Sequence, residues 1–267
     1  MILIFLAAVM GGVASSQDAP QITWFDAPPP DRRMTLVGEI HGIAANYDVL
    51  YSLTADAASR DRNVVLALEL PSEDQPAIDR FWRASDDDAK ASLVSATAWC
   101  SLDDGRVSVE LVEMLDRLKR TRGSDRISVA LFDARSDTPP PFESIAGLSN
   151  YGSARIAVEL AKVYERFAES EIIVSLGNHH ASLAYSDFRP EHGGGPAIQA
   201  AQLLTGMANT VALSYRAGER YGCRLDGCGL DEMWNSNPDA NAYHGVIATG
   251  PSVAITPLSE SAYCSNQ

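Results

Sequence analysis

The stretch TLVGEIHG, residues 35–42, is the starting point for the fold prediction, because an apolar run there ends in a carboxylate and an imidazole. Its first three residues have the character of a buried β-strand, and Gly38 permits a close turn. Glu39 and His41 are two residues apart, a spacing that puts both side chains on one face of an extended chain. The stretch therefore predicts a buried strand whose carboxyl end presents a Glu and a His side by side.

Four further runs share the Val-, Ile- and Leu-rich character of strands that are buried on both faces. They are NVVLALELP (63–71), ISVALFDAR (127–135), EIIVSLGNHH (171–180) and NTVALSYRA (209–217). Helical patterns separate these runs, and the alternation predicts an α/β fold with a mainly parallel central sheet flanked by helices. Beyond residue 216 the helical period is lost and Gly, Pro and Cys appear, which predicts a disulfide-pinned loop or hairpin extension.

The amino-terminal segment predicts export. Residues 2–13, ILIFLAAVMGGV, have the length of a signal-peptide core, and the small residues ASSQ follow them. The run is too short to span a bilayer in the usual way. Since no Lys or Arg precedes it, a short anchor is the alternative. We expect a secreted or periplasmic protein with four segments: a signal peptide (1–16), an extended Pro-rich lead-in (17–33), an α/β domain (34–216) and a C-terminal extension packed on that domain (217–267).

Composition narrows the classes of partner. The chain has 267 residues, of which 46% are hydrophobic and 21% charged, as in ordinary soluble globular proteins. Its formal net charge is -14, and it has no run of basic residues. Because phosphate binding needs clustered Lys and Arg, this balance argues against nucleic acid. We expect a small-molecule or peptide ligand, and no stable membrane span.

The four cysteines agree with export, because an even count in an exported chain indicates disulfides. Cys223 and Cys228 lie close together in YGCRLDGCG (221–229) and predict one disulfide. A metal knuckle is the alternative, but it would need a second close pair of cysteines. Cys100 and Cys264 are isolated, and four cysteines allow three pairings.

Four of the five predicted strands end in polar residues that can carry chemistry. These residues are Glu39 and His41, then Glu69, then Asp133 and Arg135, and finally His179 and His180. Each alone could be a solvated strand end or a turn cap. Because the carboxyl ends of parallel strands meet at one edge, where ligands bind in open α/β sheets, their coincidence predicts one shared cleft.

Such a set of side chains supports two kinds of chemistry. A His beside a carboxylate can act as a general base, since the carboxylate fixes the tautomer and stabilises the protonated ring. The base would activate water, because the chain has no G-x-S-x-G nucleophile elbow. Alternatively, two imidazoles and two carboxylates suit Zn, Mn or Fe, although no H-E-x-x-H helix is present.

The order of these motifs resembles the superfamily that joins erythromycin esterases, ChaN-like haem-binding lipoproteins and Tiki-type metalloproteases. Its members carry G-E-x-H after the first strand, a Glu after the second and a late G-x-x-H. The matching residues here are Gly38, Glu39 and His41, then Glu69, then Gly177 and His180. The resemblance covers roughly residues 34–216. It implies that His180 belongs to the site and that His179 faces elsewhere.

The chain also departs from that superfamily. Erythromycin-esterase-like members often carry R-D-x-x-M-A at the start of the helix before the last motif, whereas this chain reads GSARIA at 152–157. Arg106 or Arg135 could supply the missing cation, and with Asp133 they are our candidates for substrate contact. ChaN-like members place a further His soon after the first motif, where this chain has Asn46, and this weakens the haem interpretation.

These patterns predict an exported, water-activating hydrolase of an ester or amide bond. His41 would be the base and Glu39 would orient it. Glu69 and His180 would complete the site as a second acid/base pair or, with Glu39 and His41, as ligands of a divalent metal such as Mn or Zn. The alternative is a ChaN-like protein that binds haem or another metal-bearing ligand, and a third interpretation is an inactive scaffold that keeps these polar residues for structure.

Overall fold

The structure is a computed structural model that describes residues 20–26, 32–84, 88–133, 148–184, 198–224 and 227–264. The predicted signal peptide, part of the lead-in and Arg135 lie outside the described residues, so these predictions stay predictions.

A seven-stranded sheet forms the centre of the molecule, and a separate two-stranded hairpin accompanies it. The strands are β1 (Thr23–Trp24), β2 (Met34–Glu39), β3 (Val64–Pro71), β4 (Ile127–Asp133), β5 (Glu171–Gly177), β6 (Ala208–Arg216), β7 (Gly218–Arg224), β8 (Gly227–Met233) and β9 (Gly245–Pro251). The strand order in the sheet is β1-β9-β6-β2-β5-β3-β4. Each pair is parallel except β1 with β9. The mainly parallel sheet predicted from the sequence is therefore confirmed.

Helices cover both faces of this sheet. They are α1 (Ala45–Ser59), α2 (Gln75–Arg83), α3 (Ala89–Ser95), α4 (Val109–Arg120), α5 (Leu148–Arg166), α6 (Asn178–Ala181) and α7 (Ala200–Leu203). Adjacent residues of β2 face opposite layers: Val37 packs in the core with Leu50 of α1, and Leu36 packs with Leu160 of α5. Within the described ranges, none of the helices is long and apolar enough to cross a membrane.

The C-terminal region contains the predicted hairpin and one strand that the alternation did not predict. β7 and β8 pair antiparallel with Cys223 opposite Cys228, and these two residues form a disulfide. β9 then returns to the central sheet and pairs parallel with β6. A second disulfide joins Cys100 to Cys264, which settles the pairing that the sequence left open.

Candidate active site

The strand order brings the predicted strand ends side by side, because β2, β5, β3 and β4 are neighbours in the sheet. Glu39 is the last residue of β2 and pairs in register with Gly177, the last residue of β5. Asp133 ends β4, and Glu69 lies near the end of β3, where the pairing register with β4 shifts. A register shift of this kind redirects side chains. Since these strands are parallel, the polar residues lie at one edge of the sheet.

Glu39 is held at both carboxylate oxygens. His41 lies in the turn after β2, and its Nδ1 is 2.7 Å from Glu39 Oε1. The Asn46 side chain donates to the other oxygen. The Tyr215 hydroxyl donates to Asn46 Oδ1 at 2.5 Å. Because the carboxylate is buried and fixed from both sides, it can hold the imidazole ring in one orientation.

Glu69 faces the other nitrogen of the same imidazole. Its Oε2 lies 4.0 Å from His41 Nε2 and accepts the backbone N–H of Gly177 at 2.9 Å. Gly177 allows this approach, since a Cβ there would lie 3.2 Å from His41 Nε2. Burial raises the pKa of Glu69, although His41 and the Gly177 hydrogen bond act in the opposite direction.

The charge state of His41 is set by its two carboxylate neighbours. Burial alone would lower its pKa, but the attraction and hydrogen bond of Glu39 and the attraction of Glu69 outweigh burial and raise the pKa of His41 to about 9. The side chain is 30% exposed. His41 is therefore mainly an imidazolium at neutral pH.

Arg106, a candidate for substrate contact, is mostly engaged by the protein. Its Nη1 donates to Asp133 Oδ2 at 2.9 Å and to the Glu69 carbonyl at 3.1 Å, and its Nη2 donates to Asp104 Oδ2 at 2.7 Å. Its side chain is 15% exposed, and these hydrogen bonds hold it beside Glu69. Its predicted contact with substrate stays a prediction.

The two histidines of GNHH lie in a short helix, α6, and their surroundings differ. The strand predicted over 171–180 is wrong at its end, because β5 stops at Gly177. His180 lines a pocket together with Glu69, and its Nδ1 is 3.0 Å from Ser153 Oγ. His179 contacts Gln199 instead, with 3.2 Å between their Nε2 atoms.

Burial lowers the pKa of His180 to about 4, and the positive charges of His41 and Arg106 act in the same direction. His180 is therefore neutral across the physiological range, whereas His41 is charged.

A pocket of about 220 Å³ lies beside Glu69, and neither Glu39 nor His41 is among the described residues that line it. Its walls include Glu69, Asp133, His180 and Arg155 of α5. The Arg155 guanidinium lies 3.8 Å from Asp133 Oδ1. Arg155 was not predicted from the sequence, because GSARIA at 152–157 differs from the R-D-x-x-M-A motif. The signal was a cation on the helix that precedes GNHH.

The donor atoms do not form a ready metal centre. In the described parts of the chain, the group of three donors lying within 4.8 Å of one another is Asp103 with Cys223 and Cys228, whose sulfurs form the hairpin disulfide. The predicted site residues form no such group: His41 faces Glu39 through Nδ1 and Glu69 through Nε2, whereas each residue offers a metal only one of its donor atoms. The pocket formed by the described residues is also smaller than the roughly 300–1,000 Å³ of sites for drug-sized ligands, and these residues alone do not enclose haem.

No protein-family profile and no curated protein matches this sequence. The three-dimensional arrangement does match known structures. The chain shares its fold with an erythromycin esterase. The likeness to that protein, a mutant of EreC in its open conformation, has a TM-score of 0.59 at 10% identity and covers 86% of this chain and 93% of the other.

Two further solved structures have similar folds. A Bacillus cereus protein gives a TM-score of 0.58 at 9% identity, covering 84% of this chain and 90% of the other. A succinoglycan biosynthesis protein gives 0.52 at 10% identity, covering 89% of this chain and 96% of the other. At these identities the likenesses show the fold alone, so the roles of individual residues must be argued from the site.

Proposed function

We propose that this protein is an exported, water-activating hydrolase of ester or amide bonds. The observation that carries the proposal is the Glu39–His41 pair: His41 Nδ1 lies 2.7 Å from one carboxylate, and Glu69 lies 4.0 Å from the Nε2 atom. A carboxylate that orients an imidazole is a recurrent general-base arrangement. The shared fold with an erythromycin esterase supports a hydrolase, and two disulfides agree with export.

In the proposed reaction, His41 in its neutral form takes a proton from water at Nε2. The water oxygen forms a bond to the carbonyl carbon of the substrate. The bond from that carbon to the leaving oxygen or nitrogen then breaks, and His41 returns its proton to the leaving group. Glu39 and Glu69 stabilise the imidazolium that exists between these two proton transfers. Arg155, which lines the adjacent pocket, is our candidate for contact with the substrate.

The pKa of His41 gives this reaction a defined pH dependence. With a pKa of about 9, only about one molecule in a hundred carries the neutral base at pH 7. The rate should therefore rise about tenfold per pH unit and level off near pH 9. His180, with a pKa of about 4, stays neutral over this range and adds no second limb.

A screen of chromogenic esters and amides between pH 6 and pH 10 tests the proposal. His41→Ala should lower the rate by about 10²- to 10⁴-fold. The matched control is His244→Ala, because His244 contacts Thr210 on β6 rather than the site residues. Activity should be insensitive to chelators.

Hydrolysis that survives in His41→Ala at matched thermal stability would place the chemistry elsewhere. No hydrolysis, together with a Soret band after haem titration, would favour the ligand-binding alternative.

A further inference from the structure

A buried amide links the two adjacent histidines of GNHH. Gln199 and Ser153 are both buried, with exposed fractions of 0% and 1% respectively. The Ser153 hydroxyl donates to Gln199 Oε1 at 3.3 Å, and the same hydroxyl oxygen lies 3.0 Å from His180 Nδ1. At the other end of the amide, Gln199 Nε2 lies 3.2 Å from His179 Nε2. The reaction proposed above does not use this network.

The backbone fixes the direction of the amide. Gln199 is the N-cap of α7, and its side chain accepts the backbone N–H of Gln202. A backbone N–H can only donate, so the atom that receives it must be the amide oxygen. The NH₂ group therefore points at His179, whose Nε2 must accept.

The position of one proton then determines the tautomer of His180. A serine hydroxyl has a single proton. Because Ser153 gives that proton to Gln199 Oε1, it must accept a proton from His180 Nδ1. A neutral His180 consequently carries hydrogen on Nδ1 and a lone pair on Nε2. Among the described residues, no protein hydrogen bond to this Nε2 is found.

We propose that Gln199 and Ser153 are positioning residues that hold His180 as the Nδ1–H tautomer, so that Nε2 accepts a hydrogen bond from a donor group in the pocket. The chemical class of that ligand group is a hydroxyl, an amine or an amide N–H, or the attacking water. The identification of the donor as substrate or attacking water rests on the proposed function. The tautomer does not.

The test is the protonation pattern of the imidazole nitrogens in the full-length ¹⁵N-labelled protein at pH 7, measured by NMR. In the unmodified protein, His180 should show a protonated Nδ1 and an unprotonated Nε2. Gln199→Met removes the acceptor at similar size, so Ser153 is released to donate to Nδ1 and His180 should switch to Nε2–H. Gln199→Glu keeps an acceptor for both Ser153 and Gln202, so His180 should keep Nδ1–H.

A merely structural glutamine would not separate these two variants. The proposal is overturned if the unmodified protein shows Nε2–H on His180, or if Gln199→Met leaves Nδ1–H in place. If Gln199→Met fails to fold, Ser153→Ala provides the second test. Loss of the Ser153 hydroxyl, which accepts from Nδ1, should reduce the Nδ1–H population of His180. An unchanged population would contradict the proposal. Hydrolysis measured on the same variants is a separate result, so an inactive protein with the expected tautomers would refute the proposed function alone.

Discussion

Replacing Glu39 by Gln tests the electrostatic basis of the site. The substitution keeps the size of the side chain and an oxygen that can accept from His41 Nδ1, but it removes the negative charge 2.7 Å from the ring. The Glu39 and Glu69 carboxylates together raise the pKa of His41 from 6.5 to about 9. Glu69 remains 4.0 Å away in the variant. We therefore expect the pKa to fall by at least about one pH unit, equivalent to about 1.4 kcal/mol.

The same shift links pH to stability. The pKa of His41 is raised in the folded state, so its contribution to the free energy of unfolding is complete below pH 6.5 and is lost as the pH rises through about 9. The full difference corresponds to about 3 kcal/mol, an upper value because the ring is 30% exposed. Glu39→Gln should flatten this dependence.

Two measurements check this prediction: the NMR titration of the His41 ring and urea unfolding at pH 6 and pH 9.5. Glu171→Gln is the control, since Glu171 begins β5 at the opposite edge and pairs with Arg62 at 2.9 Å. An unchanged His41 midpoint in Glu39→Gln would refute the idea that this carboxylate controls the charge of the ring.

Three further pairs of variants test other parts of the structure. His180→Ala should lower hydrolysis by about 10²-fold or more, whereas His179→Ala should have a mild effect at matched stability; the reverse order would contradict the G-x-x-H assignment. Gly42→Ala should destabilise the fold by at least about 2 kcal/mol in thermal melts, because its φ is +87° and a Cβ would lie 1.6 Å from a carbonyl oxygen. In the control variant Gly206→Ala, the added Cβ meets nothing within 4 Å, so the change in stability should stay within about 1 kcal/mol. Removing the disulfide that spans 164 residues should cost about 5 kcal/mol in urea unfolding, against about 2 kcal/mol for the hairpin disulfide; equal losses would argue against loop entropy as the cause.

The central strands were predictable because burial on both faces requires continuous runs of apolar residues. Runs such as VVLALELP cannot alternate polar and apolar residues when helices cover both sides of the sheet. β9 escaped prediction because its sequence, GVIATGP, has few large apolar residues and only part of it is buried. Its place in the sheet depends on pairing with β6, which is a long-range contact without a local pattern.

The candidate site also contains residues that were predictable from the sequence and contacts that were not. Glu39, Glu69 and Asp133 could be located from the sequence because each lies at or near the end of a recognisable parallel strand. The contacts that orient Glu39 and His180 could not be predicted. Tyr215 reaches Asn46, the partner of Glu39, across 169 positions, and Gln199 reaches Ser153, the partner of His180, across 46. Such contacts arise from packing between elements and have no sequence periodicity.

The two site histidines are coupled through charge, and this limits how their variants can be interpreted. Glu39 helps to keep His41 protonated, and the charge on His41 is one reason why the pKa of His180 falls to about 4. Neutralising Glu39 should therefore act at His180 as well, by making His41 neutral at lower pH and allowing the His180 pKa to rise. Residues that share one electrostatic unit give non-additive effects. A double variant at His41 and His180 should consequently lose much less activity than the product of the two single losses.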